Sequence, residues 1–206
     1  GDKQIQIEPG ASHDMTLEDV ERAGGAIRSA KVLLTQLEIP VNVVEAALTI
    51  ADENATKTIL DPAPGQPLEH AFLRHVHIIR LNAGEGRVFT GVRSHNRSSA
   101  RQAAGVLLER GVRSVIIQAG NQGHLVVERD GEWWIPYMPV QSLDVTGAGD
   151  AFAGALAAQL ASDVDLLSAS IFANGASILA TTKVGAQANL PSYDEVRDYL
   201  KRIKPA

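Results

Sequence analysis

The chain has 206 residues, 45% of them apolar and 21% charged, with a formal net charge of −5 at pH 7. That is enough for one α/β domain with a real core, and the negative balance argues against a dedicated binder of nucleic acid or anionic membrane, which carries a basic face. There are no cysteines, so disulfides and thiolate metal sites are excluded; no apolar run reaches membrane-spanning length and the polar start GDKQIQIEPG does not read as a signal peptide, so the expected location is cytoplasmic.

GDKQIQIEPGA opens on Gly-Asp and then alternates polar and apolar residues, the pattern of a turn and the return strand of a hairpin. Its partner strand is expected upstream of Gly1. Leu17, Val20, Ala23 and Ile27 recur at helical spacing, with Thr16 as the N-cap. KVLLTQL is a short apolar run of the buried-strand kind, and Pro40 opens the helix VNVVEAALTIADEN. KTILDPAPG reads as a strand and a Pro-rich loop. HVHIIRL reads as a strand with His75 and His77 on one face, followed by a short helical stretch to Gly91. Two imidazoles without further ligands are more often structural than metal-binding. SSARQAAGVLLERG is an amphipathic helix stopped by Gly111. VRSVIIQAG is a strand, and HLVVERDGEWWIPY a hairpin turning at Asp-Gly with Trp133 and Trp134 on opposite faces. Three helices close the chain: one after Gly149, then LLSASIFANGASILATT, then SYDEVRDYLKRI. Strands alternating with helices predict right-handed βαβ units and a mainly parallel sheet flanked by helices, with ligands beyond the carboxyl ends of the strands. No repeat, low-complexity tract or linker divides residues 1–206, which read as one domain.

The stretch SLDVTGAGDAFAGALAAQL, residues 142–160, carries the chemistry. N–H groups at a helix start lack intrahelical partners and sit at the positive end of the helix dipole. Gly147 and Gly149 let that backbone approach a ligand closely, which makes an anion site suited to phosphate oxygens. An aspartate there repels a resting phosphate. Asp150 makes sense as a base that takes a proton from a hydroxyl attacking phosphorus while the amides stabilise the transferred group. The competing reading is that Asp150 only complements the helix start. There is no G-x-x-x-x-G-K-[ST] and no G-x-G-x-x-G after a first strand, so neither a P-loop nor a dinucleotide fold is expected.

DVTGAGDAFAGAL resembles the C-terminal signature of the PfkB-type carbohydrate kinases, the ribokinase family. LLTQLEIP (33–40), ILDPAPG (59–65), LNAGE (81–85), GVRSVIIQAGNQG (111–123) and TTKVGAQANLP (181–191) resemble further segments of that family, in family order. The resemblance implies a ribokinase-like α/β fold and an ATP-dependent sugar kinase, most simply one that phosphorylates D-ribose; another sugar, a nucleoside, or a catalytically silent nucleotide-binding module stay open. It implies Asp150 as the base, and the amides of Gly147, Ala148 and Gly149 as the anion hole. Asn82 and Glu85 would place Mg²⁺ and the phosphates, where Glu85 read alone is a first-turn helix acid. Glu38 would contact the sugar, and Gln118, Gly120, Gly123 and Asn174 the nucleotide. Asp144, Thr146 and the segment around Gly185 would form a K⁺ site. The chain departs from the family pattern at Ser12, Asp61, Leu81, Ala83 and Gln118. The resemblance also implies that the N-terminal third of the family fold, with its first strands, much of the sugar site and a lid that mediates homodimerisation, is absent from these residues. A chain without that part is expected to bind sugar poorly.

Overall fold

Four short apolar runs become the strands β1 (Val32–Thr35), β2 (Lys57–Leu60), β3 (Ile78–Leu81) and β4 (Ser114–Ala119), and the chain then doubles back as β5 (Gly123–Glu128) and β6 (Gly131–Pro136). In the computed structural model these six strands lie side by side in sequence order, parallel from β1 to β4 and antiparallel from β4 to β6. The structure describes residues 8–138, 140–187 and 189–203; the expected hairpin strand in GDKQIQI lies outside them.

Among the described residues, eight α-helices surround this sheet. On one face, α2 (Val41–Glu53), α3 (His70–Leu73), α4 (Ala83–Thr90) and α5 (Arg97–Glu109) cover Leu60, Ile79, Leu81, Ile117 and Leu125, and α1 (Leu17–Ser29) packs outside α2. On the other, α6 (Ala148–Ala161) and α7 (Leu166–Ala180) cover Ile59, Ile78, Ile116 and Val126, with α8 (Tyr193–Arg202) against α7. The period-2 alternation of a strand assigns these sets to opposite faces. It also puts Trp133 with the second core and Trp134 with the first, as the hairpin pattern predicts.

The helix boundaries have local causes. Thr16 and Asp19 form a capping box at the start of α1, as do Asn82 and Glu85 at α4 and Ser192 and Glu195 at α8. Pro40 stands at the N-cap of α2, and Gly91 closes α4 in the left-handed conformation with φ 75°. Two elements have no strong periodic signal and were not expected: the 3-10 turn Gly10–Asp14 and the four-residue α3. The latter shortens β3. His75 and Val76 donate their N–H groups back to Phe72 and Leu73, so His75 and His77 precede the strand rather than lying along it. Both imidazoles are held by protein groups: His75 Nδ1 lies 3.1 Å from Asp52 Oδ2, and His77 Nδ1 lies 2.8 Å from Thr58 Oγ1.

Gly123 opens β5 with φ 152°, and a Cβ there would lie 2.3 Å from the Ile135 carbonyl oxygen of β6. Gly105, inside α5, has nothing within 4 Å of such an atom. Gly123→Ala is therefore expected to destabilise the fold by about 2–3 kcal/mol, and Gly105→Ala to stabilise it by about 0.5–1 kcal/mol. Urea unfolding of the two variants checks both signs.

Candidate active site

The site lies past the carboxyl ends of the parallel strands, where α6 begins. Gly147 is the N-cap of α6 with φ 80°, and a Cβ on it would come within 3.1 Å of the Ala186 carbonyl oxygen. Helix α6 starts at Ala148, two residues earlier than the start expected after Gly149, so Asp150 lies within its first turn. Among the described residues, the N–H groups of Gly147, Gly149 and Asp150 have no hydrogen-bond acceptor, whereas Ala148 N–H donates to Val145 O at 3.2 Å. Of the three amides expected as an anion hole, those of Gly147 and Gly149 are thus available, and that of Ala148 is engaged in the turn.

Asp144 braces this turn from behind. Its Oδ1 accepts from Thr146 N–H at 2.9 Å and its Oδ2 from Gly185 N–H at 3.0 Å. Leu143 and Asp144 donate their N–H groups to Thr181 O at 2.7 and 3.2 Å. Asp144, Thr146 and Gly185 meet in the brace between the loops before α6 and after α7.

Asp150 is exposed and stands between two hollows. The smaller, about 420 Å³, is lined by Ser12, Thr35, Gln36, Glu38, Asp150 and Gly154 among others. The larger, about 570 Å³, is lined by the expected residues Glu38, Asn82, Glu85, Gln118, Gly120, Gly147, Ala148, Gly149, Asp150 and Asn174. Gln36, Glu38 and Asp150 belong to both. Gln36 Nε2 donates to Asp150 Oδ1 at 3.1 Å and fixes the carboxylate at the junction. Gly123, Asp144, Thr146 and Gly185 are not among the lining residues of either hollow. Gly123 is set by the close passage of β6, described above.

The floor of the larger hollow is charged and buried. Arg80, on the α6 side of β3, donates from Nη1 to Asp61 Oδ2 at 3.3 Å, and both residues are buried. The Arg80 guanidinium lies 5.0 Å from the Phe152 ring centroid, and its Nη1 is 3.3 Å from where a Gly149 Cβ would be. Burial pushes the Asp61 carboxyl above its ordinary range, against the pull of Arg80. Burial likewise pushes Glu85 up, partly offset by its hydrogen bonds from Asn82. Those bonds run from Asn82 N–H to Oε2 at 2.8 Å and from Nδ2 to Oε1 at 2.5 Å. Glu85 therefore caps α4 as its position in the first turn implies, but it does so buried and facing the cleft. His124 is buried, stacks on Phe152 at 5.1 Å between centroids, and is pushed down to about 3 by burial and then by Arg80.

Arg80, Gln36 and His124 were not anticipated as site residues. The available signal was Arg80 itself, a full charge in IIRL, a strand otherwise buried on both faces. Two buried carboxylates on one cleft, with Asp61 Oδ1 lacking a partner among the described residues, suit Mg²⁺, which takes one or two carboxylates together with waters and phosphate oxygens. Among the described residues no group of three or more His, Asp or Glu could hold a metal ion.

Residues 1–193 match the pfkB family of carbohydrate kinases. The chain belongs to this family. It is 35% identical over 197 residues to the ribokinase of Staphylococcus aureus, covering 95% of this chain and 65% of that protein. It is 32% identical over 200 residues to the ribokinase of Haemophilus influenzae, covering 97% of this chain and 65% of that protein. Among solved pfkB relatives, the ribokinase of Thermotoga maritima superposes with a TM-score of 0.84 at 29% identity, covering 96% of this chain and 65% of that one. Arabidopsis thaliana ribokinase complexed with ribose and ATP superposes with a TM-score of 0.87 at 25% identity, covering 98% and 66%. The chain thus spans about two thirds of the length of these relatives, and only 38% of a bifunctional ribokinase/ribose-5-phosphate isomerase from Fructilactobacillus sanfranciscensis. No helix among the described residues is long and apolar enough to cross a membrane.

The depressed His124 value has a signed consequence. Between 6.5 and about 3 the unfolded chain carries a proton on His124 that the folded chain lacks, so stability falls as pH drops through that window. At pH 5 this group alone costs about 2 kcal/mol relative to pH 7. Urea unfolding at the two pH values should show His124→Phe losing less stability on acidification than the wild type, by about that amount.

Proposed function

We propose that this chain carries the nucleotide-binding and catalytic portion of an ATP-dependent sugar kinase, which transfers the γ-phosphoryl group of ATP to the primary hydroxyl of a pentose, D-ribose, giving D-ribose 5-phosphate. The observation that carries the proposal is the position of Asp150, between two hollows and in the same helical turn as two unpaired amides. The smaller hollow, with Ser12 and Glu38, takes the sugar. The larger takes ATP, with Gln118, Gly120 and Asn174 on the nucleotide; the buried Asn174 Nδ2, which lacks an acceptor among the described residues, suits a base or ribose acceptor. The ribokinase relatives, one of them bound to ribose and ATP, support this choice of donor and acceptor.

In the proposed reaction Asp150, its Oδ1 anchored by Gln36, accepts the proton of the attacking hydroxyl. The hydroxyl oxygen bonds to the γ-phosphorus as the bond to the β–γ bridging oxygen breaks, and ADP leaves. The N–H groups of Gly147 and Gly149, at the positive end of α6, stabilise charge on the transferred group. Mg²⁺, held through Glu85, Asn82 and Asp61, would neutralise phosphate charge when bound. K⁺ would be held by backbone carbonyls of the two loops that Asp144 ties together around Thr146 and Gly185, and would stiffen the turn that presents the amides.

A coupled assay of ADP release by the intact protein, with D-ribose, 2-deoxyribose, fructose and nucleosides as acceptors, tests the reading. D-Ribose is expected to give the highest kcat/KM. Asp150→Asn should lower kcat by about 10³-fold and leave the ATP dissociation constant within about twofold, because the proton acceptor matters only in the transition state. ATP binding without turnover on any acceptor would favour a silent nucleotide-binding module, and turnover that survives Asp150→Asn would remove Asp150 as the base.

A further inference from the structure

The larger hollow has a charge problem. Its charged lining residues among those described are the acids Glu38, Asp61, Glu85 and Asp150 and a single cation, Arg80. A triphosphate entering such a cleft meets four carboxylates, so the position of the one permanent positive charge decides where phosphate can rest. That charge lies beside Gly149: Nη1 is 3.3 Å and Nη2 3.9 Å from where a Gly149 Cβ would stand. The hydrogen bonding of Arg80 is also incomplete. Nη1 donates to Asp61, whereas Nε is buried without a partner and Nη2 makes no hydrogen bond to a described residue. Nε and Nη2 form the edge of a guanidinium that takes two oxygens of a phosphate in parallel. Leaving a buried charged donor unpaired is costly in the folded chain, and a phosphate oxygen would relieve that cost.

Resting on the kinase reading above, we infer that Arg80, oriented by Asp61, is a phosphate-binding residue of the donor cleft, whose Nε–Nη2 edge takes oxygens of the terminal phosphate held at Gly147 and Gly149. Arg80 and Asp61 then act as one device. Asp61 holds Nη1 and leaves Nε and Nη2 without an acceptor among the described residues, and Phe152 lies against the guanidinium from the α6 side. The device acts on the terminal phosphate and so distinguishes ATP from ADP.

Calorimetric titration of the intact protein with ATP and with ADP, without sugar, in Mg²⁺ and again in EDTA, where the Mg²⁺ role given to Asp61 drops out, tests this independently of turnover. Removing one partner of a buried pair risks unfolding, so the main variant is the neutral pair Asp61→Asn with Arg80→Gln, checked for folding by its circular dichroism melt. The expected result is that ATP binding weakens by about tenfold or more while ADP binding stays within about twofold. Arg80→Lys, which keeps the charge but loses the fork, should fall between that variant and the wild type. A folded double variant with the wild-type ATP:ADP affinity ratio would overturn the role of Arg80 while leaving the kinase reading intact. A wild-type protein that binds neither nucleotide would overturn both.

Discussion

Folding takes two full charges, Arg80 and Asp61, out of water where β2, β3 and α6 converge. The desolvation of each ion is unfavourable, and it is repaid only by close geometry and good hydrogen bonding. The pair therefore ties Asp61, one residue beyond β2, to the floor under α6, and Arg80 to the face of Phe152. The loop that follows Asp61 is tied in turn to the chain after β1, through Leu37 N–H donating to Ala63 O at 2.9 Å. Gln36 and Glu38 flank that contact, and Gln36 reaches Asp150. A chain of specific polar contacts thus runs from the sheet to the carboxylate at the junction of the two hollows.

The same constraint explains why small residues recur at the start of α6. Gly149 leaves room for the Arg80 guanidinium, and Gly147 adopts a left-handed conformation against Ala186. Neither role is visible from the glycine turn alone, where flexibility and close approach to a ligand are the general reasons for glycine. On this fold the glycines serve packing below and ligand access above. His124 belongs to the same floor: as a neutral ring stacked on Phe152, it adds bulk and polarity to the cleft without adding a charge that would compete with Arg80.

Much of this was legible in the sequence, because the informative signals are local. Alternating apolar strands and capped helices place the sheet, and the glycine turn together with the family motifs places Asp150, Asn82, Glu85, Gln118, Gly120 and Asn174 on one cleft. What was not legible depends on register between distant strands. Asp61 stood out as a departure in DPAPG, while Arg80, a charge in an apolar strand, drew no reading as a site residue. Their pairing requires the β2–β3 register that sets Leu60 beside Ile79. Gly123 illustrates the converse: the motif placed it with the nucleotide, and the close passage of β6 gives it a packing role that the motif did not show. Ala148 shows the limit of reading a glycine turn as three equivalent amides, since a backbone turn uses one of them. Helix α3 and the 3-10 turn are too short to show a period.

The central claim is that phosphate and hydroxyl meet at Asp150, one from each hollow. A crystal structure of the intact protein with a non-hydrolysable ATP analogue and D-ribose tests it most directly. The account predicts the terminal phosphate on the N–H groups of Gly147 and Gly149 and the primary hydroxyl of the sugar within hydrogen-bond distance of Asp150. A terminal phosphate bound elsewhere, with Asp150 turned back onto its own helix start, would contradict it.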